Sequence, residues 1–218
     1  MRIVIVGGHG QIALQATTLL AAQGHAVVGL IRNPAHEADV VARGGTAAVL
    51  DIEQANVADL VQVIRGADAV VFAAGAGPGS GAERKWTVDR DGAMLTADAA
   101  EVAGVKRLVV VSAMNADDAD TGSSDVFQIY LRAKAEADAS VRSRDLDWTI
   151  IRPGSLTDEP GTGLVAIGED VGYGSIARED VAHIIVDSIV HRSAIRTQFN
   201  AIAGEIPVGR ALSEVSGP

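Results

Sequence analysis

Near its amino terminus the chain carries the sequence Gly7-Gly8-His9-Gly10-Gln11-Ile12-Ala13. The β-branched run at residues 3–6 predicts a strand before this stretch, and a helical pattern follows it. Small residues at positions 7, 10 and 13 suit such a junction, because they allow a tight turn, close approach of the backbone to a pyrophosphate, and close packing of helix on strand. The start of the helix adds free N–H donors for phosphate oxygens. The stretch therefore predicts a dinucleotide site, with an ordinary glycine turn as the alternative.

The rest of the chain alternates short β-branched runs with longer helical patterns. Further strands are predicted at residues 27–31, 47–50, 69–73, 107–111, 148–151 and 199–202. Helices are predicted at residues 11–23, 35–43, 57–64, 83–103, 126–144 and 179–191, with a last helical turn near residue 210. Glycine-rich loops are expected at 75–81 and at 154–174, the second being a candidate substrate loop.

This alternation predicts the fold class. Parallel neighbouring strands need a crossover between them, and right-handed crossovers place helices on both faces of the sheet. We therefore expect an α/β protein with a Rossmann-type, doubly wound, mostly parallel sheet. Residues 1–218 are expected to form a single NAD(P)-binding domain, in which residues 152–218 make a small carboxyl-terminal substrate-side region.

The composition argues against several classes of protein. The 218 residues are 48% hydrophobic, enough for one substantial core, and the net charge of −10 argues against nucleic-acid binding. The absence of cysteine excludes disulfides and thiolate metal sites, and the five histidines lack metal-ligand spacing, so no metal is expected. No apolar run approaches the roughly 20 residues of a membrane span. A cytoplasmic protein that acts on a small molecule is expected, of undetermined oligomeric state.

The end of the second strand indicates which dinucleotide binds. The sequence there is Leu30-Ile31-Arg32-Asn33-Pro34, without the acid that NAD sites usually place there for the ribose hydroxyls. Arg32 offers a cationic fork that suits the 2′-phosphate of NADP(H), which is the expected cofactor; a solvated surface arginine is the alternative. Asp51 and Ile52, which follow the third strand, are expected beside the adenine, although Asp51 is equally suited to cap a helix.

Several further motifs carry a family resemblance. They are Val71-Phe72-Ala73-Ala74-Gly75-Ala76-Gly77-Pro78, Val88-Asp89-Arg90-Asp91-Gly92-Ala93, Gly104-Val105-Lys106-Arg107, Tyr130-Leu131-Arg132-Ala133-Lys134, Ile151-Arg152-Pro153-Gly154 and Ser175-Ile176-Ala177-Arg178-Glu179-Asp180. With the glycine turn, they resemble the atypical, NmrA-like NAD(P)H-binding branch of the short-chain dehydrogenase/reductase superfamily, over nearly the whole chain. The resemblance implies that Ala73, Ala74 and Gly75 pass beneath the cofactor ribose. It also implies that Pro153, Gly154 and Ser155 approach the nicotinamide through backbone groups.

Tyr130 and Lys134 match the Tyr-x-x-x-Lys pair of that superfamily. Residues four apart share a helix face, and a lysine ammonium beside a phenol is expected to lower the tyrosine pKa. Tyr130 is then suited to protonate a carbonyl oxygen as hydride arrives, while Lys134 also holds the ribose hydroxyls. The alternative is a helix on which a tyrosine and a lysine are spaced by chance.

One position departs from the family pattern. Members with a working triad usually carry the catalytic hydroxyl on the second residue of a Ser-Ser or Gly-Ser pair after the fifth strand, and here that pair is Ser112-Ala113. Ser112 is the remaining candidate hydroxyl, although neighbouring strand residues point to opposite faces. The proton-relay asparagine of the main branch is also missing from the helix predicted at 83–103.

Two functions remain in competition. The first is an NADP(H)-dependent reductase of a small carbonyl, quinone or flavin-like substrate, which Tyr130 and Lys134 favour. The second is a non-catalytic NADP(H) sensor that binds a partner protein, which Ala113 favours. An epimerase or dehydratase is disfavoured, because only about 65 residues follow Arg152 and leave little room for a sugar-nucleotide pocket.

Overall fold

A computed structural model describes residues 1–77 and 79–216 of the chain. The strands in chain order are β1 Arg2–Val6, β2 Ala26–Ile31, β3 Thr46–Val49, β4 Ala69–Phe72, β5 Arg107–Val111, β6 Asp147–Pro153, β7 Ser155–Thr157, β8 Leu164–Gly168, β9 Ser175–Ala177, β10 Thr197–Ala203 and β11 Ile206–Pro207. The α-helices are α1 Gln11–Ala22, α2 Glu37–Ala42, α3 Val57–Ile64, α4 Ala82–Arg84, α5 Gly92–Ala103, α6 Val126–Arg142, α7 Arg178–Val190 and α8 Val208–Val215. Short 3₁₀ turns cover Pro34–His36 and Ala116–Asp118, and a π-helical segment covers Lys85–Asp91.

The central sheet has the order β11-β8-β10-β6-β5-β4-β1-β2-β3 within the described residues. The six parallel pairs are β3–β2, β2–β1, β1–β4, β4–β5, β5–β6 and β6–β10. In this part of the chain only the two pairings made by β8, with β10 and with β11 at one edge, are antiparallel. The predicted doubly wound, mostly parallel sheet is therefore confirmed. The strand order reverses between β1 and β4, and ligands of such sheets bind in the crevice at the carboxyl ends of those strands.

Helices cover the sheet on both faces. Residues of α1, α7 and α8 form one apolar cluster with alternate residues of the strands, such as Ile3 and Ile5. Residues of α3, α5 and α6 form a second cluster with the intervening strand residues, such as Val4 and Val6. The residues of β1 from Ile3 to Val6 are completely buried, as a strand covered on both faces requires.

The expectation of a loop at residues 154–174 is wrong in part. The segment contains β7 and β8, and β7 pairs with β9 in a separate two-stranded parallel sheet. The strands are too short, at three and five residues, to show a period between so many glycines. Gly154 is required by packing, because a Cβ there would collide with the carbonyl oxygen of Gly174. The glycines here therefore serve close approach of two chain segments.

The helix predicted at 83–103 is helical throughout but not uniform. It consists of α4, the π-helical segment Lys85–Asp91 and α5. A π segment follows an i→i+5 hydrogen-bond ladder, which the 3.6-residue apolar pattern does not reveal, and such segments are frequent at functional sites. The glycine loop predicted before this helix is confirmed for residues 75–77 and 79–81, and Pro78 lies outside the described residues.

Arg107 fastens the far end of the sheet. Its side chain is buried, and its guanidinium donates to the carbonyl oxygens of Asp147, Ser188 and Ser193 at 2.6, 2.9 and 3.2 Å. It also donates to the Thr149 hydroxyl at 2.9 Å. One side chain thus joins β5, β6, the end of α7 and the chain that leads into β10.

We expect Arg107→Met to lower the free energy of unfolding by about 2–4 kcal/mol, because it leaves several buried carbonyls without a donor. Burial lowers the pKa of Arg107 to about 10, so the guanidinium is charged at neutral pH and its hydrogen bonds are charge-assisted. Urea unfolding measures the loss. The exposed Arg65→Met is the matched control and is expected to change stability little. Equal unfolding midpoints for the two variants would contradict this role.

Candidate functional site

The glycine turn brings backbone directly against backbone. Gly7 has φ +84°, and a Cβ there would lie 2.6 Å from the Ala74 Cα. A Cβ on Gly8 would lie 2.5 Å from the Gly29 Cα. Gly10 is different, because its φ is −61° and the nearest atom to its added Cβ is the Gly7 carbonyl oxygen at 3.2 Å. Packing therefore requires Gly7 and Gly8, whereas Gly10 lines the open cleft.

The first turn of α1 is open to an anion. Gly10 is the N-cap residue and supplies no side-chain cap, and the first turn carries no acid. Ala13 is completely buried, which allows the helix to lie close to the sheet, and Gln11 is exposed at the helix start. Unpaired N–H groups and the positive end of the helix dipole therefore face the cleft. The turn fits a pyrophosphate group.

A cavity of about 330 Å³ adjoins the glycine turn. The predicted residues Arg32, Asp51 and Ile52 all line it, together with Gly7 and Gly10. The Asp51 carboxylate accepts the backbone N–H of Glu53 at 3.1 Å, so Asp51 both borders the cavity and caps a turn. The cavity lies where an adenosine is expected in a Rossmann-type fold.

Glu53 is a charged residue of this cavity that was not predicted from the sequence. Its Oε2 lies 3.1 Å from Arg32 Nη1 and 2.8 Å from Arg84 Nη2, and its Oε1 accepts the Thr87 hydroxyl at 2.7 Å. The hydrogen bond from Arg84 holds the pKa of Glu53 below its usual value, with help from Thr87 and Arg32 and against the effect of burial. The sequence signal that could have identified Glu53 is its position two residues after Asp51, which was itself predicted at this site.

His9 borders the same cavity, and Asp39 and His36 hold its ring in place. Its Nε2 lies 2.8 Å from Asp39 Oδ2, and its ring stacks on the ring of His36 with centroids 3.6 Å apart. Both rings line the cavity. His9 therefore fixes the rim of the glycine turn against the segment after β2, and a cofactor contact from it remains a prediction.

The cleft continues past the end of β4. Ala73, Ala74 and Gly75 line both the first cavity and a second one of about 550 Å³. Ile12, Ser112, Tyr130 and Lys134 also line the second cavity. The structure thus joins the predicted phosphate turn, the ribose segment and the Tyr-x-x-x-Lys pair in one continuous groove, which has the course expected for an extended dinucleotide.

Lys134 is buried, and its ammonium has two polar partners. Its ammonium donates to the Val111 carbonyl oxygen at 3.1 Å and lies 3.3 Å from the Asp89 carboxylate, which is 1% exposed. Burial acts to lower the pKa of Lys134, but the charges of Tyr130, Asp89 and Asp138 outweigh it and raise the pKa. Asp89 lies in the π-helical segment of the helix that lacks the expected asparagine, and it was not predicted as a site residue.

Tyr130 lies between two lysines. Lys85 Nζ is 5.4 Å and Lys134 Nζ is 5.8 Å from the centroid of its ring. Burial raises the pKa of Tyr130; Lys134 opposes this effect, and the charges of Asp89 and Asp138 add to it. The expectation of a lowered tyrosine pKa is therefore wrong, because it left out burial and the two carboxylates. The phenol stays protonated at neutral pH and can donate a proton.

The Ser112 hydroxyl uses its proton in a hydrogen bond within the protein. Its hydroxyl donates to Asp138 Oδ2 at 2.7 Å, and Arg152 Nε donates to the same oxygen at 2.8 Å. The Arg152 guanidinium also forms two hydrogen bonds with Asp117, at 2.6 and 2.9 Å. This arrangement favours a positioning role for Ser112 over the catalytic role predicted for it. Ala113 presents no hydroxyl and lines a third cavity.

The third cavity, of about 420 Å³, shares Ser112, Phe127, Tyr130 and Leu156 with the second cavity. Pro153, Gly154 and Ser155 line it, as does Tyr130 itself. The Gly154 N–H donates to the Ala201 carbonyl at 2.9 Å, and the Ser155 N–H donates to the Gly174 carbonyl at 3.0 Å. Ala201 of β10 and Gly174, the residue before β9, therefore already occupy these two donors. The approach of this backbone segment to a nicotinamide stays a prediction.

Two further findings concern the described part of the chain. No group of three or more histidine, cysteine, aspartate or glutamate residues there is arranged to hold a metal ion. None of its helices combines the length and the apolar character needed to cross a membrane.

Known proteins share this architecture. A family model described as NAD(P)H-binding matches residues 7–192. A Bacillus subtilis protein named as an uncharacterized sugar epimerase, YhfK, is 32% identical over 99% of this chain and 100% of its own. A UPF0659 protein of Saccharomyces cerevisiae is 42% identical over 79% of this chain and 78% of its own. A solved structure from Bacillus halodurans, assigned provisionally as an NAD-dependent epimerase/dehydratase, is 33% identical with a TM-score of 0.90, covering 98% of this chain and 99% of its own.

We expect Gly10→Val to abolish NADPH binding in a folded protein, because the new side chain stands in the open cleft where the pyrophosphate approaches the backbone. Cofactor fluorescence titration measures the binding, and circular dichroism measures the fold. Gly122→Val is the matched control, since an added Cβ there meets only the Asp120 carboxylate at 3.5 Å. A folded Gly10→Val variant with normal affinity would place the phosphate site elsewhere.

Proposed function

Because the chain belongs to the NAD(P)H-binding family of atypical short-chain dehydrogenase/reductases, we propose that it is an NADPH-dependent reductase of a small carbonyl, quinone or flavin-like substrate. The observation that carries the proposal is the pair formed by the half-buried Tyr130 and the buried Lys134. Both residues line the groove, and Tyr130 also lines the third cavity. NADPH, when bound, supplies a hydride to an electrophilic carbon of the substrate. The carboxyl-terminal region 152–218 forms the substrate side.

Tyr130 is the proton donor in this proposal. Its raised pKa keeps the hydroxyl protonated at neutral pH, so it can protonate the carbonyl oxygen that gains charge as hydride arrives. The hydroxyl recovers its proton from solvent. Lys134, fixed by Asp89 and the Val111 carbonyl, places a permanent positive charge beside the phenol and stabilises negative charge that develops there.

Arg32 supports a preference for NADPH over NADH. Its side chain is 56% exposed, and among the described residues only Glu53 engages it, through one nitrogen. The remaining N–H groups of the guanidinium are suited to the 2′-phosphate. Glu53 supports the opposite preference in one respect, since a carboxylate in this cavity is suited to accept ribose hydroxyls. A direct comparison of the two cofactors decides between them.

The sensor function is the second candidate. Ala113 is 8% exposed and lines the cavity beside Tyr130, where a catalytic hydroxyl is expected in the family. A sensor binds NADPH through the same groove and consumes none. The relatives named as epimerases suggest a third outcome, in which the cofactor is used but not consumed.

We expect wild-type protein to bind NADPH more tightly than NADH, and Arg32→Ala to lose about 1.5–3 kcal/mol of NADPH affinity with little change for NADH. Calorimetric titration of both cofactors measures this. Arg43→Ala, an exposed arginine outside the cavity, is the matched control and leaves both affinities unchanged. Equal affinity of the wild type for the two cofactors contradicts the assignment.

We expect Tyr130→Phe to reduce turnover by roughly 10²–10⁴-fold, because it removes the proton donor. NADPH affinity is expected to stay the same, which serves as the internal control. The assay is stoichiometric NADPH oxidation with carbonyls, quinones and flavins. Binding without oxidation of any acceptor favours the sensor. Turnover of Tyr130→Phe equal to that of wild type removes Tyr130 from the mechanism. A higher rate in Ala113→Ser supports a catalytic role for a hydroxyl at the position where the family usually carries one.

The pH profile gives a separate test of the same residue. A proton donor must stay protonated to act, and the ordinary tyrosine pKa is about 10. Since burial raises the pKa of Tyr130 above that value, turnover is expected to stay level as pH rises to about 10 and to fall only above it. A fall in kcat near pH 7 to 8 that is lost in Tyr130→Phe contradicts the raised pKa.

A further inference from the structure

Lys85 is a buried cation that the roles given above leave unused. It stands at the start of the π-helical segment, is 9% exposed, and lines the 550 Å³ cavity. Its ammonium donates to the Gly77 carbonyl oxygen at 3.0 Å and lies over the Tyr130 ring. In contrast to Lys134, which pairs with Asp89, it forms no ion pair with a carboxylate of the described residues.

The wall of the cavity that Lys85 lines is largely apolar, although Asp89, Tyr130 and Lys134 also line it. Val126, Phe127 and Leu156 line the same cavity and are 40, 61 and 37% exposed, so an apolar rim surrounds its mouth. A buried ammonium without a counter-charge is costly, and one neutral carbonyl compensates only part of its lost hydration. A ligand that brings an apolar body and an anionic group supplies both missing contacts.

We infer that Lys85 binds an anionic group of the substrate, and that the substrate is an apolar, aromatic-type carboxylate with its reducible carbon near Tyr130. The inference rests on the proposed function in treating the bound anion as a substrate. The binding of the anion itself does not require turnover. The apolar body lies against Val126, Phe127 and Leu156. The carboxylate forms a charge-assisted hydrogen bond with the Lys85 ammonium, which is stronger than a neutral one.

The binding experiment uses two probes of nearly equal shape, 2-naphthoate and 2-naphthamide, with protein saturated with NADP⁺. Wild type is expected to bind naphthoate about tenfold more tightly than naphthamide. Lys85→Gln keeps a donor for the Gly77 carbonyl and removes the charge, so the preference is expected to vanish. Lys85→Arg keeps the charge and the preference. Lys106→Met, at an exposed lysine paired with Asp145, is the control and leaves the preference unchanged.

Each result bears on the inference. Equal binding of the two probes by wild type overturns it, whether or not Lys85→Gln folds. A preference that survives in Lys85→Gln overturns it as well. A loss of NADPH affinity in Lys85→Gln, as large as the loss of naphthoate affinity, assigns the ammonium to the cofactor and also overturns it.

A kinetic comparison separates this inference from the proposed function. Phenylglyoxylate and its methyl ester present the same ketone with and without a negative charge. A lower KM for the acid in wild type, raised about tenfold in Lys85→Gln with little change for the ester, supports both proposals. Reduction of the ester with no advantage for the acid overturns the role of Lys85 and leaves the reductase standing. Naphthoate preference without reduction of any ketone, quinone or flavin leaves the anion site standing and overturns the reductase.

Discussion

The close approach of backbones at the glycine turn is the constraint on which the rest of the structure depends. At Gly7 and Gly8 the chain between β1 and α1 lies against Ala74 after β4 and Gly29 in β2, with no room for one more carbon atom. This contact sets the distance between the carboxyl ends of three neighbouring strands. The groove that runs from Arg32 to Tyr130 lies along those ends, and the first turn of α1 borders it.

The sequence was sufficient for the parts of the fold that are encoded locally. Buried parallel strands are rich in β-branched residues, and the spacing of the glycines from Gly7 indicates a strand–turn–helix junction. The doubly wound sheet and this junction were therefore predictable. The π-helical segment and the short strands after Gly154 were not. The π-helical segment departs from the 3.6-residue period by which helices are recognised, and the strands of three and five residues are too short to show the period of 2.

The charges of the site were harder to predict, for a different reason. Glu53 meets Arg32 and Arg84 across 21 and 31 residues of sequence, and Asp138 meets Ser112 across 26. No local pattern encodes such pairs. The direction of the pKa shift of Tyr130 was hard to predict for the same reason. Lys134, four residues along the helix, was visible in the sequence, whereas the burial and the two carboxylates that raise the pKa were not.

The ends of the sheet have a consequence for how the molecule behaves among copies of itself. An edge strand presents a row of free N–H and C=O groups to which another chain can add. Here one edge is β11, only two residues long, and its second residue, Pro207, has no N–H to offer. The opposite edge, β3, has four residues. Both edges are too short to template a long intermolecular ladder, so a sheet made largely of aliphatic strands is protected from fibrillar growth by its own geometry.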